Sequence, residues 1–108
     1  MKMRWTGVMP ATTTAFDEKL NIDRDFVIKH AKWLIDHGCT AIVTPGSLGE
    51  SATLSFDEKL TIWNAVVEGV GERVPVVAAI ASLSTAEAVR LAKGAVDCGC
   101  SGLMVLPP

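Results

Sequence analysis

An α/β fold built on a parallel sheet is what this sequence predicts, and three observations carry the prediction. Short, nearly unbroken apolar runs alternate with amphipathic stretches of helical period. The apolar runs lack the alternation of a half-exposed sheet, so both of their faces must be covered, as in parallel sheets flanked by helices. Part of the pattern also returns: Asp36–Val43 matches Asp97–Met104 in residue type, 61 residues later. That offset fits two βα units of about 30 residues each.

Taken in order, Gly7-Val8-Met9-Pro10 is a candidate first strand, running into a stretch with hydroxyls at Thr12, Thr13 and Thr14. Asp17–Asn21 reads as polar loop. Asp23 is placed to cap a helix whose apolar face is Phe26, Val27, Ala31, Leu34 and Ile35, with Gly38 as its stop. His30 and His37 fall on or near the surface of that helix, where His37 in the last turn suits the helix dipole. Ala41-Ile42-Val43 is the second strand. Ser55 and Glu58 form a capping box for a second helix with Ile62, Trp63, Val66, Val67 and Val70 on its apolar face, its end loosened by Gly69 and Gly71. Val76–Ala81 is the third strand. A second capping box, Ser84 with Glu87, opens a third helix carrying Ala88, Val89, Ala92, Ala95 and Val96, with Gly99 as its stop. Gly102–Leu106 is the fourth strand. Phe-Asp-Glu-Lys-Leu occurs twice, at 16–20 and 56–60. Context makes the first a loop and the second a helix, so it is no repeat.

Three βα units and a fourth strand make a parallel sheet with helices outside it. A (β/α)8 barrel needs roughly 250 residues, and this chain has 108. The expectation is therefore the N-terminal half of such a barrel, a single partial domain over residues 1–108. A small open doubly wound sheet is the alternative. Ending on a strand leaves an apolar edge and face that something must cover.

Composition excludes several classes. The chain is 49% apolar and 20% charged with a net charge of −2, and its basic residues form no run or stripe, so nucleic acid is not an expected partner. No apolar run approaches the roughly 20 residues of a membrane span. The basic N-terminus lacks the apolar segment of a signal peptide, which makes a cytoplasmic location the default. Cys39, Cys98 and Cys100 are too few for a disulfide framework, and Cys98-Gly99-Cys100 lacks the usual zinc spacing. They read as small thiols packed beside strands.

The most informative stretch is Ala41–Ser51. The apolar strand stops at Pro45-Gly46, and behind it come a hydroxyl at Ser47, a glycine at 49 and a carboxylate at Glu50. Strand, glycine turn and hydroxyl before a helix is how α/β proteins build ligand sites at the carboxyl ends of strands. Taken alone, the pattern fits equally an ordinary βα connection whose glycines serve turn geometry. It is not a P-loop, because no Gly-Lys-Ser/Thr follows. Nor is it a dinucleotide fingerprint or a nucleophile elbow, whose glycine spacings differ. No metal or cofactor motif is present.

Together these residues resemble the N-terminal part of the dihydrodipicolinate synthase/N-acetylneuraminate lyase family. The resemblance rests on Gly7-Val8 with Thr14-Ala15-Phe16, Asp23, Gly38 through Val43, Gly46-Ser47-Leu48-Gly49-Glu50-Ser51 followed by Leu54-Ser55, Val74-Pro75-Val76, and Val105-Leu106-Pro107. It implies a (β/α)8 barrel in which a lysine forms a Schiff base with pyruvate or a related 2-keto acid. The iminium is an electron sink that lowers the barrier to loss of a proton or cleavage of a C–C bond at the adjacent carbon. By this correspondence Ser47 holds the place of a hydroxyl in a proton relay and carboxylate contact. Leu48 holds the place whose backbone N–H binds the carboxylate. Leucine keeps that N–H but lacks the hydroxyl of the family's usual threonine, which points to an altered substrate. Ala15 replaces a proline and Leu20 a frequent glycine, as loop variation. Glu50 is expected to be structural, accepting bonds from neighbouring backbone. The resemblance also implies a homo-oligomer, dimer or tetramer, with no cofactor and no metal.

Two absences matter. None of the six lysines, Lys2, Lys19, Lys29, Lys32, Lys59 and Lys93, falls at the carboxyl end of a predicted strand, and there is no tyrosine. In the family both the lysine and the relay tyrosines lie farther along. These residues are thus expected to hold part of a site without its nucleophile. The rival reading is a non-catalytic half-barrel acting as a scaffold or assembly unit.

Overall fold

The structure, a computed structural model, describes residues 1–107. Its elements are α1 (Arg24–Asp36), β1 (Ile42–Thr44), α2 (Phe56–Val70), β2 (Val76–Ala81), α3 (Thr85–Cys98) and β3 (Gly102–Leu106), with a short 3-10 turn at Ser51–Thr53. The strands form one parallel sheet in the order β1-β2-β3, with Ile42 opposite Val76 and Val77 opposite Gly102.

The candidate first strand is not regular. Gly7 sits at a φ of 90° and Pro10 has no N–H to give, so the segment pairs only intermittently along β1. Thr40 N donates to Val8 O, Val43 N to Pro10 O and Thr12 N to Val43 O, and Ala11 bridges Val43 in parallel. The chain direction and position are those of a first strand, and the ladder is incomplete.

The side chains of the sheet sort by parity. Ile42 and Val76 pack under α1 and α2, while Ala78 and Ile80 pack with Trp63, Leu91 and Ala95. Val43, Val77 and Ala79 point to the other face, where Met3 and Met9 cover them. β2 is buried along nearly its whole length, as its apolar run predicts, but β3 has no neighbour on its outer side among the described residues and is largely exposed.

The helix starts follow the sequence signals. The Asp23 carboxylate accepts from Phe26 N at 3.1 Å, and Ser55 with Glu58 makes the full reciprocal box. Ser84 makes only half of one. It accepts from Glu87 N, but its own N–H donates to Ser82 Oγ, which leaves the Glu87 carboxylate free to pair with Arg90. The helix ends also follow: Gly38 and Gly99 adopt positive φ after α1 and α3. His37 lies one residue past α1, its ring stacked on Trp33 and its Nδ1 2.7 Å from the Trp33 carbonyl. Gly69 does not loosen α2. It lies inside the helix, and a Cβ there would come within 3.1 Å of Ile28, so it is the notch through which α1 approaches. Phe16–Leu20 is loop and Phe56–Leu60 opens α2, as context requires.

The cysteines are free and partly buried rather than fully so. Burial, then the neighbouring Cys98, pushes the Cys100 thiol up to about 12, and burial, then Asp97, raises that of Cys98. Both stay protonated and poorly nucleophilic near neutrality.

Trp63 joins the helix layer to the sheet. It is fully buried, and its indole N–H donates to the Thr44 carbonyl at 2.7 Å. Trp63→Phe keeps most of the apolar volume but removes the indole's bond to that carbonyl, so it should cost about 0.5–1.5 kcal/mol of unfolding free energy. Urea titration of the two proteins measures this; an unchanged midpoint would show that the bond carries no stability.

Candidate functional site

β1 ends at Thr44, and the chain then turns through Pro45 and Gly46 into the bend 47–50. The bend is held by its own backbone. Gly46 O accepts from Gly49 N and Ser51 N, at 3.0 and 3.2 Å, and Ser47 O accepts from Glu50 N at 3.1 Å. From outside, Thr14 Oγ1 donates to Gly49 O at 2.6 Å. This gives one of the three N-terminal threonines a defined task. Gly49 has little room: a Cβ there would lie 3.0 Å from Thr12 O and 3.3 Å from both Gly46 N and Gly46 O.

Glu50 departs from the expectation in part. Its backbone is structural, with a left-handed φ of 63° and a carbonyl that accepts from Thr53, but its exposed carboxylate makes no capping bond. The carboxylate faces solvent because the left-handed turn carries it away from the N–H groups it was expected to meet.

A cleft of about 870 Å³ opens at the carboxyl ends of the strands. Ser47 lines it, together with Ala81 and Ser82 from the end of β2 and Leu106 and Pro107 from the end of β3. Leu48 does not line it, and its side chain is exposed. The N–H groups of Ser47 and Leu48 find no acceptor among the described residues. The bend therefore offers a hydroxyl and two uncommitted amides, a donor set that suits an anion.

Three further side chains line the cleft without having been singled out from the sequence. Ser51 is buried and its hydroxyl has no hydrogen-bond partner among the described residues. Lys59 is buried on the first turn of α2 and forms no ion pair among the described residues. Glu87 comes from the first turn of α3. Lys59 reaches the cleft from a helix, so it escapes a search of strand ends. The signal for it was the cap itself, since Ser55 aims the first turn of α2 at the ends of the strands.

The Dihydrodipicolinate synthetase family profile matches residues 4–108. The chain belongs to that family. It is 41% identical over 104 residues to the 4-hydroxy-tetrahydrodipicolinate synthase of Natronomonas pharaonis, covering 96% of this chain and 35% of the relative. Among solved structures, dihydrodipicolinate synthase from Bacillus anthracis superposes with a TM-score of 0.93 at 38% identity, over 98% of this chain and 36% of that one. A prophage protein of the family from E. coli K12, solved in complex with pyruvate, superposes at 0.88 with 27% identity, over 94% and 34%. The chain thus spans about a third of its relatives' length. Its fold is the N-terminal part of a (β/α)8 barrel, and the Gly46–Glu50 bend of this family member lies at the face where such barrels place their chemistry.

Gly49→Ala should distort the bend, because the backbone oxygen it would strike cannot retreat as a flexible side chain can. A loss of about 1–3 kcal/mol in urea unfolding is expected, with shifted amide resonances for Gly46–Ser51. A variant with wild-type stability and spectrum would show that the bend tolerates a Cβ.

Proposed function

We propose that this chain is the N-terminal part of a pyruvate-dependent or related 2-keto-acid-dependent lyase of the Schiff-base class, and that its share of the work is to hold the substrate carboxylate. The supporting observation is the position of the bend: Ser47 shares one cleft with the carboxyl ends of β2 and β3. In this reading the Ser47 hydroxyl contacts the carboxylate and passes a proton, and the Leu48 N–H donates to the same group. The leucine side chain points away from the cleft, so Leu48 contributes only backbone. A carboxylate met by preorganised donors loses less on leaving water than one that must orient them. The electron sink is an iminium on a lysine supplied by residues beyond these 108, as are the relay tyrosines. Lys59, on a helix turn and not at a strand end, is not assigned that part. The likeness to a family member holding pyruvate supports the substrate class. The same reading places the protein in the cytoplasm as a homo-oligomer without cofactor or metal, acting on a small keto acid and not on nucleic acid or membrane. Among the described residues no helix is long and apolar enough to cross a membrane.

The second reading is a non-catalytic half-barrel scaffold. It draws on β3, whose Val105 and Leu106 are 60% and 57% exposed and so invite a partner.

In the full-length protein, Ser47→Ala should lower kcat roughly 10²-fold or more, as loss of a proton-transfer group does. Its melting temperature should barely move, because Ser47 is exposed in the cleft. Unchanged turnover would remove Ser47 from the mechanism. Borohydride reduction with pyruvate should leave no adduct on the 108-residue chain, and a trapped adduct would contradict the assignment of the nucleophile to later residues.

A further inference from the structure

Two polar side chains of the cleft have no partner and no part in the carboxylate site at the bend. Lys59 is 8% exposed and Ser51 5%, so each is more than nine-tenths buried, and both line the cleft. Among the described residues the Lys59 ammonium forms no ion pair and the Ser51 hydroxyl no hydrogen bond. Glu87 also lines the cleft, but its carboxylate turns to Arg90, 3.4 Å away, and forms no ion pair with Lys59.

Nothing local favours a lysine at position 59. It lies on the first turn of α2, where the positive end of the helix dipole opposes a cation and suits Asp57 and Glu58. Burial opposes it too, because an unpaired charge gives up its water and gains nothing in exchange. The common escape is to lay the stem on apolar surface and carry the ammonium out to bulk water. At 8% exposure Lys59 has not taken it. The cleft walls include Leu54, Ile80 and Leu91, all buried and apolar, and such surroundings strengthen any charge interaction made between them.

We propose that Lys59 and Ser51 form a second anion subsite in the cleft, separate from the amides of the bend, for a carboxylate or similar small acid group. The ammonium and the hydroxyl both donate, and a charge-assisted bond to an anion satisfies the two buried groups at once. Two sources carry such a group: the far end of the keto acid, or a separate small acid. The subsite stands on the two buried side chains whichever source supplies the anion. Only the first source rests on the keto-acid reading above.

The test is calorimetric titration of the full-length protein. 2-Oxoglutarate and 2-oxopentanoate compare keto acids with and without a terminal carboxylate. Glutarate, added at saturating pyruvate, is the diacid without the keto group. Tighter binding of 2-oxoglutarate than of 2-oxopentanoate assigns the anion to the substrate, and glutarate binding beside pyruvate assigns it to a separate acid. In either case Lys59→Met should weaken that binding about tenfold or more and Ser51→Ala several-fold, while Lys59→Arg retains part of it. Diacid binding unaltered by Lys59→Met, or neither a preference nor glutarate binding, would overturn the subsite. Failure of pyruvate to bind would sink the keto-acid reading instead, and the Lys59 dependence of glutarate binding would still decide the subsite. Melting temperature separates this role from a structural one. Lys59→Met removes an unpaired buried charge and should hold or raise it. A marked fall would show that the lysine serves packing, which overturns the proposal.

Discussion

The hydrogen bond from the Trp63 indole to the Thr44 carbonyl decides where the end of β1 lies, and the bend that follows inherits its position. Magnitudes separate the two roles of this tryptophan. Burying an indole of about 150–250 Å² contributes about 4–6 kcal/mol, whereas the net value of its hydrogen bond is nearer 1 kcal/mol. Burial therefore drives α2 onto the sheet, and the bond sets the register in which it arrives. Without that register Ser55 would not aim the first turn of α2 at the cleft.

Around this anchor the bend is fixed from three directions. Its own backbone closes it, Thr14 holds the Gly49 carbonyl from the N-terminal segment, and the 3-10 turn leads it into the capping box of α2. Among the described residues the Gly46 N–H makes no bond, and the uncommitted pair at the tip is that of Ser47 and Leu48. A site for an anion needs donors that are held in place and unspent, and this construction leaves both of them so. It also explains how leucine is tolerated at 48: its side chain goes to solvent while the backbone stays where the turn puts it.

Much of this was legible in the sequence, and the exceptions have physical causes. β2 and β3 fall on the predicted residues because Pro75 and Gly99 bound them on the chain, whereas β1 gains Thr44 by pairing with Ala78. The first strand is irregular because a proline and a left-handed glycine interrupt a ladder that composition alone suggested. Gly69 read as loosening the end of α2 because the sequence does not show Ile28 crossing there. At the site, Ser47 was found because strand, turn and hydroxyl are adjacent in the chain. Ser51, Lys59 and Glu87 were missed because they meet only when two helix starts overhang the same strand ends. The Glu50 carboxylate was misread because a left-handed backbone at that residue reverses the direction in which the side chain leaves.

The central claim is that the tip of the Gly46–Glu50 bend receives a carboxylate. Titrating pyruvate into ¹⁵N-labelled protein while following the amide resonances tests it most directly. Saturable shifts centred on Ser47 and Leu48, absent when a keto compound without the carboxylate is added, are the predicted result. Shifts elsewhere that leave those two amides unmoved would contradict it.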